Sequence, residues 1–225
     1  MSLLLTGGTI FVNGEFRNAD VAIDQGRIVS VGPSLPRDGY SVIELDNCLL
    51  TPGLVDVHVH LREPGFSYKE TIYSGTRAAA AGGYTTVCSM PNLNPVPDDM
   101  ESLQIQLDII KKDANIHVYP YGAITRGEKG EALADMTAMA PHVAGYTDDG
   151  RGVQSDDMMR QAMLLAKELD RPIVAHSEDE SLLTKGWNIH DGEFARRNGF
   201  VGNDPASEWK QVERDLALVR ETGCR

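Results

Sequence analysis

The chain has 225 residues, 41% hydrophobic and 24% charged, which is the composition of an ordinary folded protein with one large domain or two modest ones. Asp+Glu 33 against Lys+Arg 21 leaves a net charge of −12, which argues against nucleic acid or an anionic membrane surface as the main partner. Cys48, Cys88 and Cys224 are odd in number and share no metal spacing; with no signal peptide or spanning run in view, free thiols and a cytoplasmic location are expected.

Residues 1–52 read as a small β-sandwich-like domain. Short strand-like runs over 9–12, 21–24, 27–31 and 42–45 are separated by turn chemistry at Asn13-Gly14, Gln25-Gly26 and Gly32-Pro33. Cys48 and Cys88 lie in apolar strand contexts, where small buried residues are expected. Thr51-Pro52-Gly53 marks the junction with a second domain over 53–225. There the pattern becomes strand then helix, repeated. Strands are predicted over 54–60, 84–90, 116–121, 143–147 and 171–176, with helices over 69–81, 98–113, 131–140, 155–169 and 205–222. Gly82-Gly83 stops the first helix, Asp98-Asp99 and Lys111-Lys112 suit the two ends of the second, and Ser155 is a capping residue for the fourth.

Strand starts recur every ~30 residues, the length of a βα unit, which implies a parallel sheet with right-handed crossovers. Both a (β/α)8 barrel and an open doubly wound sheet satisfy that pattern. The polar residues favour the barrel: His58/His60, Asn92, Asp148/Asp149 and His176 fall at or just past the C-terminal ends of four different strands. An open sheet would concentrate its site at one switch point, usually with a glycine-rich loop after a strand, and Gly82-Gly83 precedes one instead. A whole barrel takes ~250 residues, so about five βα units amount to an incomplete TIM-type barrel.

The stretch around which the rest is organised is Gly53-Leu-Val-Asp-Val-His-Val-His-Leu-Arg62. Side chains alternate along a strand, so His58 and His60 share a face and can grip one ion. Val55, Val57 and Val59 make the strand read as buried on both faces. Imidazoles in an apolar strand need a partner, and a divalent metal provides one; the alternative is a pair of hydrogen-bonded core histidines. A carboxylate after strand four and His176 after strand five complete a mixed N/O set that suits Zn2+ and lacks the thiolates of structural sites. Asp56 shares the histidine face as an orienting or simply hydrogen-bonded group. His117, His142 and His190 have no partner pattern and read as structural or surface residues.

Gly53 to Gly65 (ending His-Leu-Arg-Glu-Pro-Gly), Lys69-Glu-Thr71, Met90-Pro-Asn92, Thr147-Asp-Asp-Gly150 and Ala175-His-Ser177 together resemble the class I dihydroorotases, a branch of the amidohydrolase superfamily. The resemblance runs to the last residue and implies the N-terminal part of a metal-dependent hydrolase barrel. It implies a zinc enzyme of de novo pyrimidine biosynthesis that reversibly cyclises N-carbamoyl-L-aspartate to L-dihydroorotate. In that family His58 and His60 would ligate the more buried zinc, Asp149 would sit between the two metals, and His176 would ligate the second, with one or two zinc ions per complete site. Spacing to His176 in the family selects Asp149 over Asp148. Arg62 and Asn92 would hold the substrate carboxylate, which suits the planar guanidinium fork; a solvated charge and a turn residue are the plainer readings of the two. The family's acid–base aspartate is implied beyond Arg225, so no catalytic residue is assigned within the chain. Hydantoinases and allantoinases bridge their metals with a carboxylated lysine, and Tyr146-Thr-Asp-Asp-Gly150 contains none. A homodimer is a further expectation. The alternative function is an inactive dihydroorotase-like chain or fragment kept as an assembly partner of aspartate carbamoyltransferase, followed by another cyclic amidohydrolase of the hydantoinase or allantoinase type.

Overall fold

The structure, a computed structural model, describes residues 2–225. The chain divides into two compact units, Met1–Gly53 and Leu54–Arg225.

The first unit contains β1 (Leu3–Thr6), β2 (Thr9–Val12), β3 (Glu15–Asn18), β4 (Asp20–Asp24), β5 (Arg27–Gly32), β6 (Ser41–Glu44) and β7 (Leu49–Leu50). They form two sheets, ordered β5-β4-β1-β6 and β3-β2-β7. Ile10 from one and Val21 from the other meet in a common core with Ala19, so the sheets pack face to face. Asn13-Gly14 and Gln25-Gly26 all have positive φ, as the hairpin turns joining β2 to β3 and β4 to β5 require. Cys48 is exposed, contrary to expectation, whereas Cys88 is buried. The reason is local: Cys48 sits in the turn after left-handed Asn47, before β7 begins.

The second unit contains, in chain order, β8 (Leu54–Val59), α1 (Ile72–Ala81), β9 (Tyr84–Ser89), α2 (Met100–Asp113), β10 (His117–Pro120), α3 (Met136–Met139), α4 (Asp156–Glu168), β11 (Ile189–His190), α5 (Glu193–Asn198), β12 (Gly202–Asn203) and α6 (Ala206–Thr222). It is an α/β unit. β8, β9 and β10 pair in parallel in sequence order, each pair joined through a helix. Thr71 and Asp99 open α1 and α2 with capping boxes to Ser74 and Ser102, so each N-terminus satisfies two donors reciprocally. Ser155 caps α4 at Met158 N, and Gly223 ends α6 in the left-handed region.

Three expectations are corrected here. The runs over 143–147 and 171–176 form single parallel bridges, Gly122 to Tyr146 and Tyr146 to Ile173, instead of regular strands. Hydrogen bonds still carry the parallel pattern across: Thr147 N to Gly122 O at 3.0 Å, Tyr146 N to Pro172 O at 3.0 Å, and Val174 N to Tyr146 O at 2.8 Å. Pro172 has no N–H to extend the ladder. Gly145 lets Pro172 approach closely, since a Cβ there would stand 2.6 Å from Pro172 O. The helix over 131–140 contracts to α3 and a 3-10 turn over Ala140–His142. Its first half instead runs back along 124–126, with Ala134 N bonding Ile124 O at 2.9 Å and Arg126 N bonding Ala132 O at 2.9 Å. Finally, β8 is not buried on both faces: Val55 is 58% exposed and Val57 60%. Among the described residues it is the edge strand of its sheet and pairs only with β9.

Opposite that edge the unit is well packed. Leu103 of α2, Met136 and Met139 of α3, Tyr146, Met159 and Met163 of α4, and Leu218 of α6 share one core. Burial there pushes the Tyr146 phenol up to about 12, and its hydroxyl donates to Met136 O at 2.5 Å. Among the described residues, no helix is long and apolar enough to cross a membrane.

Candidate metal centre

The strand period brings His58 and His60 to one side of β8, with ring centroids 5.3 Å apart in an edge-to-face arrangement. The chain leaving β9 delivers Asn92 to the same place. The turn after Tyr146-Thr147 delivers Asp149, and the segment after Val174 delivers His176. Asp149 stands at the centre. Its Oδ1 is 3.6 Å from His58 Nε2 and 3.6 Å from His176 Nδ1, and its Oδ2 is 3.6 Å from His60 Nε2.

These separations are too long for hydrogen bonds. They match donors around a shared cation, because four-coordinate zinc with bonds of about 2.0–2.2 Å spaces its ligand atoms by roughly 3.4 Å. Ligand atoms of His58, His60 and Asp149 all lie within 4.8 Å of one another. His176 approaches the same carboxylate, at the Oδ1 that also faces His58, without joining that group. The residues therefore fit a borderline divalent ion held by nitrogen and oxygen. His176 close by holds the Asp149 carboxyl below the usual carboxylate range against the opposing effect of burial, and His60 and His58 add to the lowering. The reciprocal contact with Asp149 raises His176, with a further contribution from Glu178.

Four supporting side chains hold this arrangement. Asp148 is 1% exposed; its Oδ1 accepts from Ile124 N at 2.7 Å and Thr125 N at 3.1 Å, and the Thr125 hydroxyl donates to Oδ2. Burial raises its pKa despite those donors. Asp148 thus pins the turn that carries Asp149 to the segment after β10. Asn92 lies between two members of the cluster: Nδ2 donates to Asp149 Oδ2 at 2.8 Å and Oδ1 is 3.1 Å from His60 Nδ1. Arg62, with left-handed backbone at φ 61°, donates to the same Oδ1 at 3.4 Å. Among the described residues no carboxylate lies within ion-pair distance of its guanidinium. Glu178 Oε2 is 3.1 Å from His176 Nε2.

Gly152, at φ 66°, permits the return of the chain past the site: a Cβ there would meet His176 O at 2.5 Å. Nearby, Glu128 is 8% exposed with Oε1 unpartnered. Burial, then the charges of Asp148 and Asp149, push its carboxyl up to about 8.

All six residues singled out from the sequence, His58, His60, Arg62, Asn92, Asp149 and His176, come together here. Asp56 does not orient a ring; its Oδ1 accepts from the backbone N of His58 at 3.0 Å. His117, His142 and His190 are exposed and stand apart. Sequence reading missed Glu178, Thr125 and Glu128. The carboxylate two residues beyond His176 was the available signal for the first; the other two depend on how distant loops meet.

A family model described as dihydro-orotase-like matches residues 47–225. The dihydroorotase of Fusobacterium nucleatum is 46% identical over 222 residues, covering 99% of this chain and 52% of its own length. That of Geobacillus thermodenitrificans is 45% identical over 228 residues, covering 100% and 53%. Among solved structures, L-hydantoinase from Arthrobacter aurescens superposes with a TM-score of 0.82 at 17% identity, over 99% of this chain and 51% of that one. A D-hydantoinase gives 0.81 at 22% identity, over 100% and 51%; at such identity these likenesses speak to fold alone. The chain spans about half the length of the curated relatives it matches.

Proposed function

The chain belongs to the dihydro-orotase-like family, and from that premise we propose that the protein is a zinc-dependent dihydroorotase. It would interconvert L-dihydroorotate and N-carbamoyl-L-aspartate: water adds across the ring amide, its C–N bond breaks, and a carboxylate and a ureido nitrogen result. The observation that carries the reading is Asp149 set 3.6 Å from ring nitrogens of His58, His60 and His176. Curated dihydroorotases at 45–46% identity across this chain support it. We also read the parallel segments from β8 to Val174 as the wall of a metal-dependent hydrolase barrel, a reading supported by the hydantoinase likeness.

In this reading His58, His60, Asp149 and His176 hold the metal. Bound zinc supplies a Lewis acid that activates water near neutral pH and polarises the ring amide carbonyl. The chain's own residues do the rest of the positioning. Arg62, without an ion pair to a carboxylate among the described residues, offers its fork to the substrate carboxylate. Asn92 shares the Arg62 contact and ties that binding group to His60 and Asp149. A substrate anchored at Arg62 is thereby indexed to the ligands. Asp148 and Thr125 keep the Asp149 turn from shifting when the charges around it change. No residue of 1–225 is assigned the protonation of the departing nitrogen.

The test uses the protein expressed from its complete reading frame. With zinc loaded it should hydrolyse dihydroorotate, and Asp149→Ala should lose both zinc and turnover. Preferential opening of a hydantoin ring by the zinc-loaded protein would overturn the substrate assignment.

A further inference from the structure

We propose that Glu178 is a positioning residue of the metal centre: it holds the His176 ring through Nε2 so that Nδ1 is the nitrogen turned toward a metal beside Asp149. The proposal rests on the reading of His176 and Asp149 as ligands, and it adds a residue outside the motifs read from the sequence. An ionised carboxylate only accepts hydrogen bonds. Glu178 Oε2 lies 3.1 Å from His176 Nε2, so Nε2 carries the proton and donates it. Nδ1, the nitrogen 3.6 Å from Asp149 Oδ1, is then the one left to face a metal.

The geometry around Glu178 fits that task. Its backbone N donates to His176 O at 3.1 Å, closing a tight local turn. Its own carbonyl accepts from Gln154 Nε2 at 2.9 Å, which anchors the turn to the loop after Asp149. The side chain is 25% exposed, so the carboxylate is held against the ring with part of its solvent removed. A plain surface ion pair needs none of these constraints.

His60 provides an internal comparison, with the opposite nitrogen protected. The Asn92 amide must point its NH2 at Asp149 Oδ2, because a carboxylate cannot donate. Its oxygen is therefore left to accept from His60 Nδ1, and His60 turns Nε2 toward Asp149. Two imidazoles thus offer different nitrogens to one carboxylate, each fixed by an acceptor on its far side. Such partners orient a ligand ring and raise its basicity, and their loss commonly costs roughly 10–100-fold in metal affinity.

The experiment is a titration of the metal-free protein, from its complete reading frame, with zinc and separately with cobalt(II). Glu178→Ala should weaken the zinc that His176 holds by roughly 10–100-fold and change the cobalt absorption bands. Glu178→Gln retains an oxygen that can accept from Nε2 and should recover most of the affinity. Thermal unfolding of the metal-free forms separates a folding defect from a metal defect. If Glu178→Ala does not fold, Glu178→Asp, whose shorter arm withdraws the carboxylate from Nε2, carries the same expectation. Wild-type stoichiometry, affinity and cobalt spectrum in the alanine variant would overturn the role of Glu178 alone. A wild-type protein that takes up no zinc would overturn the ligand reading beneath it.

Discussion

Asp149 carries the site because a single carboxylate faces three imidazoles, and its negative charge is what a cation shared among them needs. Asp149→Asn keeps the shape and removes the charge. It should lower zinc affinity by at least roughly 100-fold, more than the loss of an orienting partner costs, as read by metal content after dialysis. Arg62 makes a different contribution. Arg62→Lys keeps the charge but loses the planar fork, and a charged hydrogen bond is worth about 1.5–3 kcal/mol. KM for dihydroorotate should therefore rise roughly 10–100-fold with zinc content unchanged; a change in zinc content instead would move Arg62 from substrate binding to the metal.

Glu128 allows a pH prediction at the same scale. Its folded pKa of about 8 lies above the ordinary 4.5, through burial and then the charges of Asp148 and Asp149, with Arg151 opposing. The folded protein therefore binds this proton more tightly than the unfolded chain. Its stabilising effect is complete below about pH 4.5 and is lost as pH rises toward 8. Glu128→Gln, neutral throughout, should melt near the wild type at pH 5 and above it at pH 9, by about 2–4 °C for each kcal/mol relieved. Parallel melting curves across that range would show that Glu128 is already satisfied in the folded protein.

At the scale of elements, the helices that follow β8 and β9 owe their starting points to side-chain caps. Asp99→Ala leaves the Ser102 N–H without its acceptor and should cost roughly 1 kcal/mol, measurable by urea unfolding. An unchanged midpoint would mean that water replaces the cap without loss. The starts of α2 and α4 were legible from Asp98-Asp99 and Ser155, whereas α1 begins at Ile72 behind Thr71, three residues later than its expected start. The strands after β10 were legible in place but not in regularity. Val143 to Thr147 and Pro172 to Val174 run parallel as their spacing implies, yet Pro172 withholds a donor and Gly145 admits its carbonyl at close range. The 131–140 segment misled because Glu131-Ala-Leu-Ala has helical composition, while its backbone is recruited by Ile124 and Arg126. Local propensity does not reveal a partner over which the chain folds back.

At the scale of the molecule, His-x-His at the end of an apolar strand was readable because a strand's two-residue period is rigid. The Asp148-Asp149 pair and His176 were readable because a parallel sheet collects its strand ends on one side, while the choice of Asp149 over Asp148 came from the family resemblance. Asp148, Asn92 and Glu178 were less so: each acts through atoms brought together by loops, and residue type alone does not say which acceptor meets which nitrogen. The exposure of Val55 and Val57 was equally hidden, since an apolar run announces a need for cover without saying what covers it.

The central claim is that these side chains hold zinc for dihydroorotate chemistry. The most direct measurement takes the protein from its complete reading frame, removes metal with a chelator, restores zinc in measured equivalents, and records dihydroorotate hydrolysis at each addition. Turnover should rise with bound zinc and saturate at one or two equivalents, with His58→Ala flat throughout. Full turnover in the metal-free protein, or in His58→Ala, would contradict it.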